Sequence, residues 1–148
     1  MKKLFATTLA ATCLAFSAPI AAQDNPYPME AGEYVEVTGI EIDDGAGLKY
    51  AKWLAGEWRD NSDFAVSQGW LNSYEILTNV YPRKGEPDLY IIRRFPAFID
   101  NAEAERRNQI FMARYRRSEE KLLEESAGRA TYRTVGNEML LRKMEWKD

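Results

Sequence analysis

The succession of hydrophobic patterns along the chain constrains its fold more strongly than any other feature. Residues 33–42 are rich in Tyr, Val, Thr and Ile and end in an Asp-Asp-Gly turn, which is typical of a β-strand. Residues 47–62 repeat apolar side chains at the helical period. Residues 70–81 and 88–95 alternate as strands on either side of a polar turn containing Gly85, which predicts a β-hairpin.

A second helix and a last strand follow the hairpin. Asp100, with Glu103 three residues later, forms a capping-box-like helix start; a break is expected near Ser118 and a stop at Gly128. Residues 139–146 alternate bulky apolar and charged side chains and are predicted to form a strand. The class is therefore α+β with the order β-α-β-β-α-β. This is the order of the ferredoxin-like split βαβ unit, whose antiparallel four-strand sheet carries both helices on one face.

Helix one is expected to bury a single apolar stripe, flanked by Tyr50 and Leu54 and made of Leu48, Ala51, Ala55 and Trp58. Trp53 falls outside this stripe at 100° per residue. It is interpreted in two ways. The ring is a ligand-stacking platform or interface anchor, or it packs beneath the second helix or the N-terminal leader.

The uncovered face of the sheet predicts a partner. Neither face of any predicted strand is purely polar, so a sheet with helices on one side only would expose apolar area. Val35 and Val37 are assigned to the helix side as dry core, which leaves Glu36 facing outward. Arg94 and Arg142 on neighbouring strands are the expected partners of that carboxylate. We therefore expect a homodimer formed sheet to sheet.

The composition excludes several kinds of active site. The chain has no histidine, and its one cysteine is Cys13. Histidine-dependent triads, a Cys-His dyad, histidine-ligated haem and histidine-based zinc sites are therefore excluded. The acidic groups at 41–44 and 119–125 lack the spacing of a calcium loop, so no metal site and no cofactor are expected. With 20 basic and 23 acidic residues and no Gly-rich phosphate loop, a nucleic-acid partner is not expected.

The first 22 residues have the three parts of an export signal peptide. Two lysines precede an apolar stretch, and small residues end at Ala22, where cleavage is expected. An uncleaved anchor is disfavoured because the stretch is shorter than the ~20 residues that span a bilayer. Cleavage as a lipoprotein at Cys13 is disfavoured because the aliphatic residue typical of such sites is missing. Residues 23–32, with two prolines, are expected to form a flexible leader, and residues 33–148 a single domain that is periplasmic or secreted and free of the membrane.

A short pattern at the start of strand two resembles a known superfamily. The pattern has the form Gly-x-Leu-x-x-Tyr-x-x-Leu and consists of Gly69, Leu71, Tyr74 and Leu77. With the element order, it resembles the dimeric α+β barrel proteins over most of the chain after the leader. The resemblance implies pairing of two sheets, with a small cavity between the sheet and helices of each subunit. It implies activities from cofactor-free monooxygenases and isomerase-like enzymes to haem enzymes, but without histidine no haem ligand or catalytic residue is carried over.

Seven side chains are candidates for contact with a small ligand because they combine aromatic rings or polar groups with positions on predicted strands or the first helix: Tyr34, Glu36, Trp53, Asn72, Tyr74, Arg94 and Arg142. The tyrosines offer phenolic donors, and the arginines either clamp an anion or pair with Glu36 and Glu75. Each also has an ordinary structural interpretation, since strand aromatics are first of all core residues.

Two functions from different classes are open. In the first, an exported homodimer binds a small apolar or aromatic molecule in its half-barrel cavity without catalysis, or serves as an interaction module. In the second, a cofactor-free monooxygenase or isomerase uses Tyr, Trp, Asn72 or Arg to stabilise an enolate-like substrate. The first is preferred because, without His or Cys, acid-base catalysis would depend on Glu36 or Glu75. Either carboxyl group would have to be desolvated enough to titrate near neutral pH, and the sequence does not show this.

Overall fold

The computed structural model describes residues 26–147, and the expected signal peptide at residues 1–22 lies outside the described residues. The elements, in chain order, are β1 (Met29–Ile42), α1 (Gly47–Trp53), a π-helical turn (Leu54–Trp58), α2 (Arg59–Ser67), β2 (Ser73–Thr78), β3 (Leu89–Phe95), α3 (Asn101–Tyr115), α4 (Glu119–Ala130) and β4 (Arg133–Trp146). The strands form one antiparallel sheet in the order β2-β3-β1-β4. The α+β class with a four-strand antiparallel sheet is confirmed.

Strands β1 and β4 form a ribbon that extends beyond the rest of the sheet. Each has 14 residues, against six in β2 and seven in β3. Met29 pairs with Trp146 at one end, so residues 29–32, expected in the leader, belong to β1. Residues 133–138, expected outside the last strand, likewise belong to β4. Both strands were predicted too short. Their pairing joins segments about a hundred residues apart in the sequence, and local composition does not reveal such pairing.

The first helix buries a different side from the expected stripe. Tyr50 and Leu54 are buried, whereas Leu48 is 70% exposed. The side chains that face inward recur every four residues, at Tyr50, Leu54, Trp58 and the buried Ser62. In a uniform α-helix each four-residue step rotates the side chain by about 40° beyond a full turn. The π-helical turn is wider, with i→i+5 bonding, and so keeps these positions on one side.

The faces of the sheet are the reverse of those expected. The buried cluster beneath the first helix joins the strands to the helix through Ile40, Leu89, Ile91, Tyr50 and Leu54. Glu36 has the same parity as Ile40 and therefore lies on this helix-covered face, opposite Arg93. Val35 and Val37 lie on the other face, which is called the open face below. A carboxylate is tolerated beneath the helices because the facing guanidinium neutralises it, and the simple hydrophobic assignment did not include that pairing.

The caps of the second helical region are mostly as expected. The side chain of Asp100 accepts a hydrogen bond from the backbone N–H of Glu103, and the predicted break is real because Ser118 caps α4. The predicted stop at Gly128 is wrong, since α4 continues to Ala130. A glycine inside a helix costs only about 1 kcal/mol relative to alanine, which does not by itself end the helix. Among residues 26–147, none of the helices has the length and hydropathy of a membrane span.

Candidate functional site

A cleft runs between the helix-covered face of the sheet and the helices. It consists of three recesses that share lining residues, with volumes of about 290, 270 and 210 Å³. The outer recess is lined mainly by Trp70, Phe95, Phe98 and Arg107. The middle recess is lined by Trp58, Asn61, Trp70 and Phe111. The inner recess is lined by Tyr50, Trp53, Ile91, Arg133 and Val135.

An ion pair connects the recesses. Arg93 lines all three, and Glu36 lines the outer and inner ones. Arg93 donates from both Nε and Nη2 to Oε1 of Glu36, with the Nε distance at 3.1 Å. No described residue donates to Oε2 of Glu36. The side chains of Arg93 and Glu36 are 44% and 29% exposed, so the pair faces the cleft and is not sealed in the core.

The outer end of the cleft is aromatic. Tyr34 stacks on Phe95 at 5.5 Å between ring centroids and meets Phe98 edge-on at 4.5 Å. Arg142 lies over the Tyr34 ring, 4.3 Å from its centroid, and donates a hydrogen bond to its hydroxyl. Two of the candidate residues therefore support this aromatic group, which positions Phe95 and Phe98 as one wall of the outer recess.

Helix α3 contributes Arg107 to the outer recess and Phe111 to the middle recess, and arginine side chains attach it to the first helical region. Arg107 lies over the Trp70 ring at 5.2 Å, and Arg114 lies over the Phe64 ring at 4.4 Å. Asp60 of α2 accepts hydrogen bonds from Arg114 at 3.4 Å and from the Tyr115 hydroxyl at 2.8 Å. The helix is therefore attached by charged and ring contacts, and none of its residues is buried.

The inner recess is built around two stacked rings. Tyr50 and Trp53 lie 5.4 Å apart and nearly parallel, with Arg133 over Tyr50 at 5.6 Å. Burial raises the pKa of the Tyr50 hydroxyl above its usual value near 10, so the hydroxyl is protonated at neutral pH. Trp53 packs beneath Arg129 of α4, as one of its two sequence interpretations had it, and its ring also lines the recess.

The other candidate residues lie outside the cleft. Tyr74 donates a hydrogen bond to Asp63 and lines a separate apolar recess of about 310 Å³ with Trp58 and Ile76. Arg94 pairs with Glu75 at 2.6 Å on the open face, because it alternates with Arg93 along β3. Asn72 donates to the carboxylate of Glu33 at 2.7 Å. The expected pairing of Glu36 with Arg94 or Arg142 is wrong; its partner is Arg93.

Sequence reasoning missed most of the residues that line the cleft: Tyr50, Trp58, Trp70, Arg93, Phe95, Phe98 and Arg133. One signal was available for Arg93, which has the parity of Leu89 and Ile91 on β3 and so shares their face. The positions of the helix aromatics depend on the π-helical turn, for which the sequence carries no simple signature. The described residues contain no group of three or more His, Cys, Asp or Glu side chains placed to hold a metal ion.

Comparison with protein-family models, with curated proteins and with solved structures found no match to this chain. Its function is therefore inferred from its own residues and contacts.

Proposed function

We propose that this protein is an exported ferredoxin-like homodimer that binds a small aromatic molecule in the cleft without catalysis. The observation that carries the proposal is the combination of aromatic walls and one polar pair in a single concave site. Binding sites for small molecules are typically clefts of this kind, mostly apolar with a few polar groups that fix orientation.

The outer and middle recesses suit a molecule with one or two rings. Trp70 lies between them and lines both, which allows a ligand ring to stack on its indole. Phe95 and Phe98 add apolar surface to the outer recess. The Glu36 and Arg93 side chains supply the polar contacts, because Oε2 of Glu36 can accept a hydrogen bond and the half-exposed guanidinium can donate one.

The open face supports a second copy of the chain as partner. Its centre is apolar and includes Val35, Val37, Ile92, Met139 and Leu141, of which the last two are 41% and 49% exposed. Both signs of charge surround this centre, with the Arg94–Glu75 pair on one side and the Lys143–Glu145 pair on β4. A surface carrying both signs can complement its own copy across a two-fold axis.

The size of the open face also fits a dimer. At ~4.8 Å between strands and ~3.3 Å per residue, the sheet presents on the order of 600 Å² in projection. A standard stable interface covers about 800 Å² on each partner, and side-chain relief adds to the projected area. Pairing the two open faces is the arrangement that the dimeric α+β barrel resemblance implies.

The convergence of Glu36, Arg93 and Tyr50 on the cleft favours a second candidate, a cofactor-free monooxygenase or isomerase. Oε2 of Glu36 would accept a proton from the substrate, and the Arg93 guanidinium would stabilise the resulting enolate-like anion. Binding is preferred because Arg93 already donates two hydrogen bonds to Glu36, so the guanidinium is engaged by that carboxylate and not left to a substrate anion.

Export is the second part of the proposal and has its own test. The tripartite pattern of residues 1–22 supports cleavage after Ala22. N-terminal sequencing of the protein from the periplasmic fraction or medium should begin at Gln23. A mature chain that still begins at Met1 would overturn this part without affecting the cleft.

The four tryptophans provide a direct test of binding in the cleft. Three of them line the cleft: Trp53 in the inner recess, Trp58 in the inner and middle recesses, and Trp70 in the outer and middle recesses. Trp146 is 74% exposed at the end of the ribbon. In a two-dimensional NMR titration with benzyl alcohol, the indole N–H signals of Trp58 and Trp70 should shift and saturate, while that of Trp146 should not. Trp70→Leu should abolish the saturable shift, and Trp146→Leu is the matched control. Shifts at Trp146 alone, or no saturable shift, would contradict the proposal.

A further inference from the structure

The inner recess and the side chains packed directly against it contain a concentration of unsatisfied polar groups. Within the described residues, five buried side-chain polar atoms lack a hydrogen-bond partner. Four of them belong to this region: Tyr50 Oη, Trp53 Nε1, Arg129 Nε and Arg133 Nε. Tyr50 is only 1% exposed, so its hydroxyl cannot turn to bulk solvent. Buried polar groups are normally hydrogen-bonded, and a cluster of exceptions needs an explanation.

These four side chains form one contiguous group. The rings of Tyr50 and Trp53 stack at 5.4 Å, and Arg133 lies 5.6 Å from the first ring and 5.9 Å from the second. Arg129 lies over the same Trp53 ring at 4.6 Å. All four atoms can donate a hydrogen bond, and three of them can do nothing else. The group therefore offers donors without acceptors.

The two arginines of the group also lack a carboxylate partner among the described residues. Neither Arg129 nor Arg133 forms an ion pair with any described carboxylate, whereas Arg93, Arg94 and Arg117 each do. The acidic side chains lining the recess are Glu36 and Glu138. Glu36 is engaged by Arg93, and Glu138 forms no ion pair with either free guanidinium. The aromatic rings compensate these partly buried charges only in part, and an anion would compensate them further.

We infer that the inner recess binds the carboxylate of a small monoanionic aromatic or aliphatic acid. The inference rests on the proposed function, because it assigns the charged end of a ligand bound in the same cleft. The Tyr50 hydroxyl, the Trp53 indole N–H and the Arg133 guanidinium donate to the carboxylate, and Arg129 behind Trp53 adds positive charge.

The size and walls of the recess fit this ligand class. Its volume of about 210 Å³ corresponds to the liquid volume of roughly seven water molecules, enough for a benzoate-sized acid. Ile91 and Val135 supply apolar walls for the rest of the molecule. Burial keeps the pKa of the Tyr50 hydroxyl above its usual value, so this group remains a donor at neutral pH.

The test compares benzoate with benzyl alcohol, its neutral counterpart, by calorimetry and by thermal stabilisation. Benzoate should bind at least about tenfold more tightly, because charge-assisted hydrogen bonds add to ring contact. Arg133→Met should remove that advantage and leave benzyl alcohol binding unchanged. Tyr50→Phe, which keeps the ring, should weaken benzoate by about three- to tenfold without lowering the melting temperature of the ligand-free protein. Arg83→Met, in the β2–β3 turn, is the control and should change neither ligand.

The outcomes separate this inference from the proposed function. If both ligands bind equally and Arg133→Met changes neither, the carboxylate site is wrong and the aromatic cleft stands. If neither aromatic ligand binds but sulfate stabilises the wild type and not Arg133→Met, the anion site stands and the aromatic cleft is wrong. If benzoate, benzyl alcohol and sulfate all fail to bind, both are wrong and ordered water satisfies the four polar atoms.

Discussion

Two regions of this molecule are held together by different physical means. The first helical region packs on β1 and β3 through an apolar cluster in which Ile40 and Tyr50 are each 1% exposed. Helices α3 and α4 contain no buried residue, and neither does β4. The C-terminal helices contact the first helical region through arginine side chains. Arg114 lies over the Phe64 ring, Arg117 pairs with Glu57, and Arg129 lies over the Trp53 ring.

The difference shows where the stability of the fold resides. Full burial of a large aliphatic side chain contributes about 1.5–3 kcal/mol, whereas an exposed cation–π contact contributes about 0.5–1 kcal/mol. The apolar layer therefore holds the fold, and the arginine contacts position α3 and α4 over it. Because the cleft lies at the junction, we expect a ligand to enter by opening the weaker contacts while the sheet and first helix remain folded.

The largest expected effect comes from replacing a buried leucine by alanine in the first helical region, and the same substitution at an exposed leucine of α4 is the comparison. Leu54→Ala should lower the free energy of unfolding by about 2–5 kcal/mol, because it leaves a cavity in the apolar layer. Leu123→Ala on α4, where the side chain is 67% exposed, should change it by less than about 0.5 kcal/mol. Urea denaturation of both variants measures the contrast, and similar losses at the two sites would contradict it.

A smaller effect is expected at the ion pair on the cleft floor. Glu36→Gln should cost about 1 kcal/mol or less, because both side chains are partly exposed and solvent weakens their attraction. Since Glu36 lies on the helix-covered face, the variant should form the proposed dimer as readily as the wild type. Equilibrium denaturation at several protein concentrations separates folding from association. A variant that folds normally but no longer dimerises would place Glu36 at the subunit interface and overturn the assignment of the faces.

The smallest expected effect is the pH dependence of the stability that Glu103 contributes at the start of α3. Arg106 and then Arg107 lower the pKa of Glu103 from 4.5 to about 2. A carboxyl group whose pKa is lower in the folded state stabilises the fold at any pH above its pKa in the unfolded state. That contribution is lost as the pH falls toward its pKa in the folded state. The stability difference between wild type and Glu103→Gln should therefore be constant above pH 4.5 and shrink between pH 4.5 and 2. Glu105→Gln is the control, and a difference that does not change over this range would contradict the prediction.

The elements were predictable from the sequence because hydrophobic period and turn chemistry are local. The hairpin near Gly85, the Asp100 cap and the break at Ser118 depend only on neighbouring residues. The faces were not predictable from the same reasoning, because assigning Glu36 outward assumed that a carboxylate avoids the helix side. The paired Arg93, 57 residues away, reverses that assignment, and such a pairing appears only with the register of two strands.

The site was less predictable than the fold. Of the seven candidates, Glu36 and Trp53 line the cleft and Tyr34 and Arg142 support its aromatic end, while Arg94 lies on the opposite face. Trp58 was missed because a π-helical turn places it, and Trp70 and Phe98 were missed because they lie in loops that only the packed fold brings to the cleft. Neither a π-helical turn nor a long-range loop contact leaves a period or spacing in the sequence.

The most direct test of the account is the mass of the purified protein in solution at micromolar concentration. Sedimentation equilibrium should give the mass of two chains, because Met139 and Leu141 on the open face are apolar and about half exposed among the described residues. Leu141→Glu should give a single chain with a nearly unchanged circular dichroism spectrum, and Leu123→Glu, an exposed leucine on α4, should remain a dimer. A wild-type protein with the mass of one chain, or a Leu141→Glu variant that stays dimeric, would contradict pairing through the open face.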